Sequence, residues 1–238
     1  TDFNEREQAI RIDASFSISG EDLALFHRMG IVSQYRRYEV WRRVFGERLN
    51  GINRRAGYMF QAESLMPWAT AYENVVMGLR YRGVPEAERR EAGMSWLDRF
   101  ADRYPHELSG GMRKRVALAQ TLVTDPDILL MDESFSALDI QTRQLMENEL
   151  LEIWQSAKKA VLFITHDLDE AVSMSDRVVV LSAGPASHPI GNFPIELPRP
   201  RNVVEIRTTH DFLACHEAIW NVLRDEVMKS YRQHRDSI

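Results

Sequence analysis

The sequence predicts an α/β fold with a mostly parallel sheet, and three apolar segments separated by helical stretches carry that prediction. The segments are residues 127–131 (DILLM), 160–165 (AVLFIT) and 177–181 (RVVVL). Each is almost continuously apolar, which is typical of strands that are covered on both faces. Short strands that alternate with helical stretches indicate a parallel sheet, because parallel strands need crossover connections.

Helical spacing of apolar residues predicts the remaining elements. Residues 141–157 place four apolar residues near helical spacing, namely Leu145, Leu150, Leu151 and Trp154, which predicts a helix that crosses over the sheet. Residues 73–100 are rich in charge, lack a strand pattern and contain Gly83 and Pro85, so they predict interrupted helices. An amphipathic stripe after Pro200 predicts a last helix, and the simplest interpretation is a helix that caps its own domain.

These elements predict one large domain with an insertion and an extension. A chain of 238 residues is long enough for one large domain. We expect residues 1–200 to form that domain, with its α/β core built from residues 1–66 and 125–200. The helical subdomain is expected at about residues 67–124, and a helical extension at residues 201–238.

Composition excludes several classes of protein. The chain is 44% hydrophobic and 27% charged, which is typical of a globular protein. Its net charge of -5 and the short basic run at residues 113–115 predict no nucleic acid partner. No run approaches the roughly 18 apolar residues of a membrane span, and the start TDFNEREQ does not resemble a signal peptide. The single cysteine, Cys215, excludes an internal disulfide and is expected to be a small core residue.

The strongest chemical motif is Ser109, Gly110 and Gly111 at the predicted start of the helix MRKRVALAQTLV. Ser109 can cap the helix, the glycines let backbone N–H groups approach a phosphate, and the helix dipole favours an anion. Taken alone, the same residues are also typical of an ordinary capped turn. The acidic residues that follow the next strand favour the phosphate interpretation.

Polar residues follow two of the predicted buried strands. Asp132 and Glu133 come directly after residues 128–131, and His166 follows residues 160–165. Residues at the carboxyl ends of parallel strands face the ligand crevice of such a fold. There an aspartate can hold Mg²⁺, a glutamate can orient or deprotonate a water molecule, and a histidine can contact a phosphate. The alternatives are a surface acidic pair and a structural histidine.

From about residue 48 to residue 200, the chain resembles the ATPase subunit of ATP-binding cassette (ABC) transporters. The motifs FQAESLMPW, YPHELSGGMRKRVALAQ, ILLMDE and THDLDEA carry this resemblance. They are most similar to the nitrate, sulfonate and taurine importer branch. The resemblance implies a core like that of P-loop NTPases and an ATPase that energises import of a small solute.

The resemblance also implies a role for each motif residue. LSGGM is the signature motif, ILLMDE is the Walker B strand and residues 136–139 (SALD) are the D-loop. Glu133 is implied to be the catalytic base, Asp132 a ligand of Mg²⁺ and His166 the switch histidine that acts in catalysis. Gln61 is implied to sense Mg²⁺ and the permease. The implied nucleotide-binding residues are Gln61, Ser109, Gly110, Gly111, Asp132 and Asp139.

Cofactors and partners follow from the same resemblance. ATP and Mg²⁺ are the implied cofactors, and the chain is expected at the cytoplasmic face of a membrane. The implied partners are a transmembrane permease, a second ATPase subunit in a homodimer or heterodimer and, indirectly, a solute-binding protein. The apolar residues expected at the permease contact are Phe60, Leu65, Met66, Pro67 and Trp68, although they could equally pack the subdomain.

The sequence departs from the family pattern at three places. No glycine-rich Walker A loop with its lysine is present: residues 26–44 contain one glycine, Gly30, and the first lysine of the chain is Lys114. The chain is also shortened near residues 100–104, and Ser134 stands where the family has proline. Without the loop, residues 26–44 are expected to be poorly ordered or to form a helix that binds no phosphate.

Three explanations for the missing loop stay open: an old degeneration, a recent loss, or a local shift of the reading frame. The first would make the chain a regulatory or structural subunit without turnover, which is the alternative to an ATPase. A glycine-rich GK motif in a neighbouring frame of the coding DNA would identify the third.

Overall fold

The structure is a computed structural model that describes residues 12–15, 55–97, 99–157, 159–182 and 188–235. The expectation for residues 26–44 lies outside these described residues. The chain divides into two compact units, one formed by Arg54–Lys159 and one formed by Thr1–Asn53 with Ala160–Ile238.

Six strands and six α-helices form the described part of the chain. They are β1 (Ile12–Ser15), β2 (Ala56–Met59), α1 (Ala71–Tyr81), α2 (Glu86–Met94), α3 (Gly110–Leu122), β3 (Ile128–Asp132), α4 (Ile140–Ala157), β4 (Ala160–Thr165), α5 (Leu168–Met174), β5 (Arg177–Leu181), β6 (Pro189–Pro194) and α6 (His210–Arg235). Two short 3₁₀ helices, Pro105–Glu107 and Ile206–Thr208, precede α3 and α6.

In the unit Arg54–Lys159, β2 and β3 form a parallel pair in which Met59 lies beside Met131. The predicted strand at residues 127–131 is confirmed one residue later, and the predicted helix at residues 141–157 is α4. The predicted interruption between α1 and α2 is confirmed at Gly83, whose φ of 76° is a conformation that glycine adopts readily.

The helices of this unit bury an apolar cluster between α1, α3 and the segment that joins α2 to α3. Eight residues form its buried centre: Ala71, Val75, Val76, Leu97, Ala101, Leu108, Val116 and Ala119. This packing holds α3 in place from its amino end onward, and the amino end carries the Ser-Gly-Gly motif.

In the other unit, β1 lies between β4 and β5 and runs antiparallel to both, so β4 and β5 share a direction. The predicted strands at residues 160–165 and 177–181 are confirmed at those bounds. β6 pairs antiparallel with β5 at the edge. The sequence pattern does not predict β1, which is short, or β6, which contains Pro189, Gly191 and Pro194.

The last helix, α6, packs against α5 and β6 of its own unit. It buries Phe212, Ile219 and Leu223 and leaves Trp220 exposed. Cys215 is half-buried, and this burial raises the pKa of its thiol. Among the described residues, no helix has the length and apolar character needed to cross a membrane.

A buried arginine joins α5 to the segment that follows β6. The guanidinium of Arg201 donates hydrogen bonds to four backbone carbonyl oxygens, those of Ser173 (3.4 Å), Ser175 (2.6 Å), Ile195 (3.2 Å) and Leu197 (2.8 Å). Burial lowers the pKa of Arg201 to about 10. The buried cation therefore satisfies the carbonyl groups at a junction between irregular segments.

A fully buried asparagine shapes the loop that leads into α1. Asn74 Nδ2 lies 3.2, 3.1 and 2.9 Å from the carbonyl oxygens of Met66, Ala69 and Thr70, and Oδ1 accepts a hydrogen bond from the Met66 N–H at 2.7 Å. One side chain thus closes the loop at residues 66–70. Thr70 also caps α1 in a reciprocal pair with Glu73.

We predict that Asn74→Leu lowers the free energy of unfolding by about 2 to 4 kcal/mol, because it leaves buried backbone groups of the loop without partners. Urea unfolding of both proteins measures this difference. Glu91→Ala, an exposed change on α2, serves as the control and is expected to stay within about 0.5 kcal/mol of the parent. Equal stability of the two variants would contradict the prediction.

Candidate functional site

Two residues far apart in sequence, Gln61 and Glu133, meet at the ends of β2 and β3. Gln61 Nε2 donates hydrogen bonds to the Glu133 carboxylate at 3.3 Å and to Ser136 Oγ at 3.4 Å. Met59 pairs with Met131, and each of the two residues lies two positions beyond its strand partner. The parallel register therefore brings together two residues that the sequence analysis selected separately.

Glu133 has an unusual backbone conformation. Its φ is 45°, in the left-handed region that residues other than glycine rarely occupy. Such a conformation costs on the order of 1 to 3 kcal/mol and is frequent at functional sites. The Glu133 carbonyl accepts hydrogen bonds from the Ser136 N–H and from Ser136 Oγ, which hold the turn. The carboxylate is thus presented from a defined turn rather than from a free loop.

Ser134, which replaces the family's proline, is fully buried inside this turn. Its Oγ donates a hydrogen bond to the Met59 carbonyl oxygen at 3.2 Å. The serine therefore ties the turn after β3 to the end of β2. This hydrogen bond stabilises the turn where a proline ring would restrict the backbone.

Asp132, the last residue of β3, contacts a residue that the sequence analysis missed. Tyr58 on β2 donates its hydroxyl hydrogen to Asp132 Oδ2 at 2.9 Å. The Tyr58 ring also packs on Phe60, with ring centroids 4.2 Å apart. An aromatic residue one position before the end of the neighbouring strand was the available signal, since parallel neighbours share one edge.

The donor chemistry near Asp132 fits one mode of binding Mg²⁺. Among the described residues, no group of three His, Cys, Asp or Glu side chains could hold a metal ion. Mg²⁺ commonly takes one or two protein oxygens and completes its shell with water and phosphate. The carboxylate of Asp132 and the amide of Gln61 suit that mode, and they do not suit a site made of protein ligands alone.

Ser109 caps α3, with its Oγ accepting a hydrogen bond from the Met112 N–H at 3.3 Å. The two glycines that follow differ in their surroundings. A Cβ on Gly111 would lie 2.5 Å from Thr142 Cγ2, so Gly111 lets α3 approach α4 closely. Among the described residues, the nearest atom that a Cβ on Gly110 would meet belongs to Arg113, at 3.9 Å. Packing within the described part of the chain therefore explains Gly111 and does not explain Gly110.

Asp139 directly precedes α4, next to this contact. Its Oδ1 accepts a hydrogen bond from the Thr142 N–H at 3.0 Å, and this backbone hydrogen bond lowers the pKa of the Asp139 carboxyl. Thr142 thus contacts both Asp139 and the position of Gly111. The start of α3 and the start of α4 are brought together by one threonine.

Lys114 on α3 is a second residue that the sequence analysis missed, since the basic run was considered only for nucleic acid binding. The side chain is buried, and Nζ donates to the carbonyl oxygens of Gln61 at 2.6 Å and Phe60 at 3.3 Å. Burial lowers the pKa of Lys114, and the negative charge of Glu63 partly opposes that shift. Its spacing from Ala117 and Leu118 on the apolar face of α3 was the available signal.

His166 belongs to the other unit, where it is exposed directly after β4. The residue that follows it, Asp167, caps α5 by accepting hydrogen bonds from the N–H groups of Asp169 and Glu170. Asp169 also lies 3.4 Å from His216 Nε2 on α6. An open cavity of about 480 Å³ is lined by His166, Asp167, Leu168, Asp169, His216 and Trp220.

Comparison with known proteins identifies relatives that match half or more of the chain. The sequence profile of the ABC transporter family matches residues 33–136. An uncharacterized ABC transporter ATP-binding protein of Methanocaldococcus jannaschii is 49% identical over 193 residues, covering 79% of this chain and 70% of the relative. The nitrate import ATP-binding protein of Synechocystis sp. is 40% identical over 190 residues, covering 76% and 71%. The taurine import ATP-binding protein of Rhizobium johnstonii is 46% identical over 134 residues, covering 54% and 51%.

A solved structure supports the fold. The ATP-binding cassette MJ0796, in a dimeric post-hydrolysis state bound to ADP and Pi, superposes with a TM-score of 0.53 at 25% identity. The match covers 71% of this chain and 70% of that one. The predicted α/β class and the resemblance to ABC ATPases are therefore confirmed. The chain belongs to the family of ABC transporter ATP-binding proteins.

Proposed function

We propose that this chain energises the import of a small solute of the nitrate, sulfonate and taurine class, as the ATP-binding and ATP-hydrolysing subunit of an ABC importer. Nucleotide binding and ATPase activity are properties of the family to which it belongs. The contact between Gln61 and Glu133 carries the proposal, because it joins two motif residues at the carboxyl ends of parallel strands. The solute class is supported by relatives that are named as nitrate and taurine import proteins.

In this proposal each motif residue has one task. Glu133 orients and deprotonates the attacking water, and Gln61 positions the Glu133 carboxylate through their hydrogen bond. Asp132 would hold Mg²⁺, which neutralises charge on the phosphates when it is bound. His166 would contact the γ-phosphate or the attacking water. These roles are supported by the resemblance and by the chemistry of the side chains.

The exposed start of α3 is proposed to serve the nucleotide of a second subunit. Ser109 and Gly110 lie where backbone N–H groups are available to an anion, and none of the residues that the structure describes crowds Gly110. The solved relative MJ0796 is dimeric, which supports a dimer here. Asp139 would belong to the same subunit interface.

The missing phosphate loop determines which partner is needed. The first lysine is Lys114, and its Nζ is bonded to backbone carbonyl oxygens, so it is not the lysine of a Walker A loop. Each charge-assisted contact to a phosphate is worth about 1.5 to 3 kcal/mol, so this chain alone would bind ATP weakly. A heterodimer with a subunit that contains the loop would have one complete site, formed by the partner's loop and this chain's signature.

The proposed assembly has the partners that the family resemblance implies. A transmembrane permease would bind this chain at the cytoplasmic face of the membrane, and a solute-binding protein would act indirectly through that permease. The permease contact is proposed at Phe60, Met66 and Trp68, beside Gln61. Trp68 is 74% exposed although it is a large aromatic residue, which supports a contact there.

We predict that the chain mixed with an intact homologous subunit hydrolyses ATP, and that Ser109→Arg in this chain lowers turnover about 10-fold or more. The added cation would block the helix start and oppose its dipole. A coupled assay for released phosphate measures turnover, and Ser95→Arg, an exposed change at the end of α2, is the control.

Two further results of this assay separate the hypotheses. If the purified chain hydrolyses ATP on its own, Glu133→Gln is expected to lower that rate about 100-fold or more, whereas turnover at the complete site of the mixed assembly uses the partner's own Walker B residues and is expected to persist. Turnover that is unaffected by Ser109→Arg would show that the signature completes no site. Absence of nucleotide binding at millimolar ATP and of turnover in every mixture would support the regulatory or structural alternative.

We predict that alanine has different effects at the two glycines of the signature, lowering turnover at Gly110 and stability at Gly111. Gly110→Ala is expected to change the free energy of unfolding by no more than about 0.5 kcal/mol and to lower turnover of the mixed assembly about 10-fold. Gly111→Ala is expected to lower the free energy of unfolding by about 1 to 3 kcal/mol, because its Cβ would overlap Thr142. Urea unfolding and the phosphate assay measure the two effects. Unchanged turnover in Gly110→Ala would argue against an open face for a nucleotide.

We predict that Trp68→Glu and Met66→Glu weaken binding to the detergent-solubilised permease about 10-fold, because each adds a charge to an apolar contact. Tyr81→Glu is the matched control, since Tyr81 is an aromatic residue of the same unit with 80% exposure. Binding is measured by titration of labelled chain, and folding by circular dichroism. Intact folding with undiminished binding of both variants would place the contact elsewhere.

A further inference from the structure

We propose that Lys114 is a positioning residue that couples the start of α3 to Gln61 and, through Gln61, to Glu133. The coupling to catalysis rests on the proposed ATPase function, whereas the anchoring of the loop after β2 can be tested without turnover. Lys114 itself would touch neither the nucleotide nor the reacting water.

The first part of the argument is the way in which the lysine holds the loop. Lys114 is 1% exposed, and its Nζ lies between the carbonyl oxygens of Phe60 and Gln61, at 3.3 and 2.6 Å. These are consecutive residues just beyond the end of β2. A charged donor bonded to two adjacent carbonyl groups fixes both the position and the orientation of that short backbone segment.

The second part is the position of Lys114 on α3. It lies five residues after Ser109, which is about 7.5 Å along the axis of a helix. Residues Val116 and Ala119 of the same helix are fully buried, so α3 is packed as a rigid element near its start. A displacement of the signature residues is therefore carried to Lys114 Nζ by the helix rather than absorbed by a flexible connection.

The third part is the continuation from the loop to the carboxylate. The backbone of Gln61 is held by Lys114, while its side chain donates to Glu133 and to Ser136. Gln61 thus connects the hydrogen bonds of Lys114 to those of Glu133 and Ser136 within the unit Arg54–Lys159. A shift of α3 would change the direction in which the Gln61 amide meets the Glu133 carboxylate.

An apolar residue would fill the buried position of Lys114 with a smaller desolvation cost. Burying an ammonium group is unfavourable unless it is well bonded, and replacement of buried charges by apolar residues is frequently neutral or stabilising. Glu63, whose negative charge acts on Lys114, is held at the surface by Arg113 at 3.8 Å. The presence of a lysine at this position is explained by the backbone of Phe60 and Gln61, which its two hydrogen bonds hold in place.

Hydrogen exchange of the backbone amides at residues 60–66 tests the anchor directly. We expect exchange of this segment to be about 10-fold faster in Lys114→Met, which keeps the length and apolar stem and loses both hydrogen bonds. Exchange in α6 should not change. Arg115→Met is the matched control, because Arg115 neighbours Lys114 and forms a surface ion pair with Glu149 at 3.2 Å.

Two other variants keep the test decisive. Lys114→Arg retains a cation and its donors and is expected to restore most of the protection. Lys114→Gln retains a shorter neutral donor and is expected to give an intermediate rate, even if Lys114→Met does not fold. Exchange at residues 60–66 that matches the parent, or that rises only together with all of α1 and α3, would overturn the anchor.

The assembly with an intact homologous subunit tests the coupling from the side of α3, because its complete site uses this chain's signature together with the partner's own loop and Walker B residues. Lys114→Met is expected to lower turnover at saturating ATP about 10-fold while the KM for ATP changes less than about 2-fold, with Arg115→Met close to the parent and Lys114→Arg partly restored. Faster exchange with unchanged turnover would overturn the coupling and leave the anchor. If the parent assembly has no turnover, the proposed function fails, and hydrogen exchange still decides the anchor.

Discussion

The parallel register of β2 and β3 is the constraint on which the candidate site depends. It sets Met59 beside Met131, so the segments that follow β2 and β3 leave the sheet at the same edge and at the same level. Gln61 and Glu133 meet only because each is the second residue beyond that pair. A slip by one residue would turn the side chains of one strand to the opposite face and would separate the pair.

Polar side chains from the neighbouring helices then order the loop between β2 and α1. A segment without regular structure leaves its backbone groups unpaired unless other groups bond to them. Lys114 satisfies the carbonyl groups at the beginning of this loop, and Asn74 satisfies those at its end. The loop that carries Gln61 is therefore held from α3 at one end and from α1 at the other.

Much of the fold could be predicted because strands that are covered on both faces consist of almost continuous apolar runs. The segments at residues 160–165 and 177–181 were predicted at their observed bounds, and Gly83 was identified as a break between helices. β6 was missed because proline and glycine in a short edge strand produce no apolar alternation. The family resemblance selected Gln61 and Glu133, and the structure brings them into contact.

The hydrogen-bond partners of Tyr58, Asn74 and Lys114 could not be predicted. These residues belong to types that are common on helix and strand surfaces, and their partners depend on which groups lie opposite them. That information exists only after β2, α1 and α3 have packed together. The catalytic and binding roles of the motif residues stay predictions, since they concern a nucleotide and a second subunit.

At Glu133, the left-handed backbone conformation sets the stability of the fold against the chemical role of the carboxylate. Glycine or asparagine would occupy that conformation with less strain, so their introduction would relieve part of the cost that glutamate imposes. A library of variants sorted only by heat resistance or expression yield would consequently enrich small or amide residues at position 133. A glutamate at this position is therefore explained by what its carboxylate does rather than by the stability of the turn.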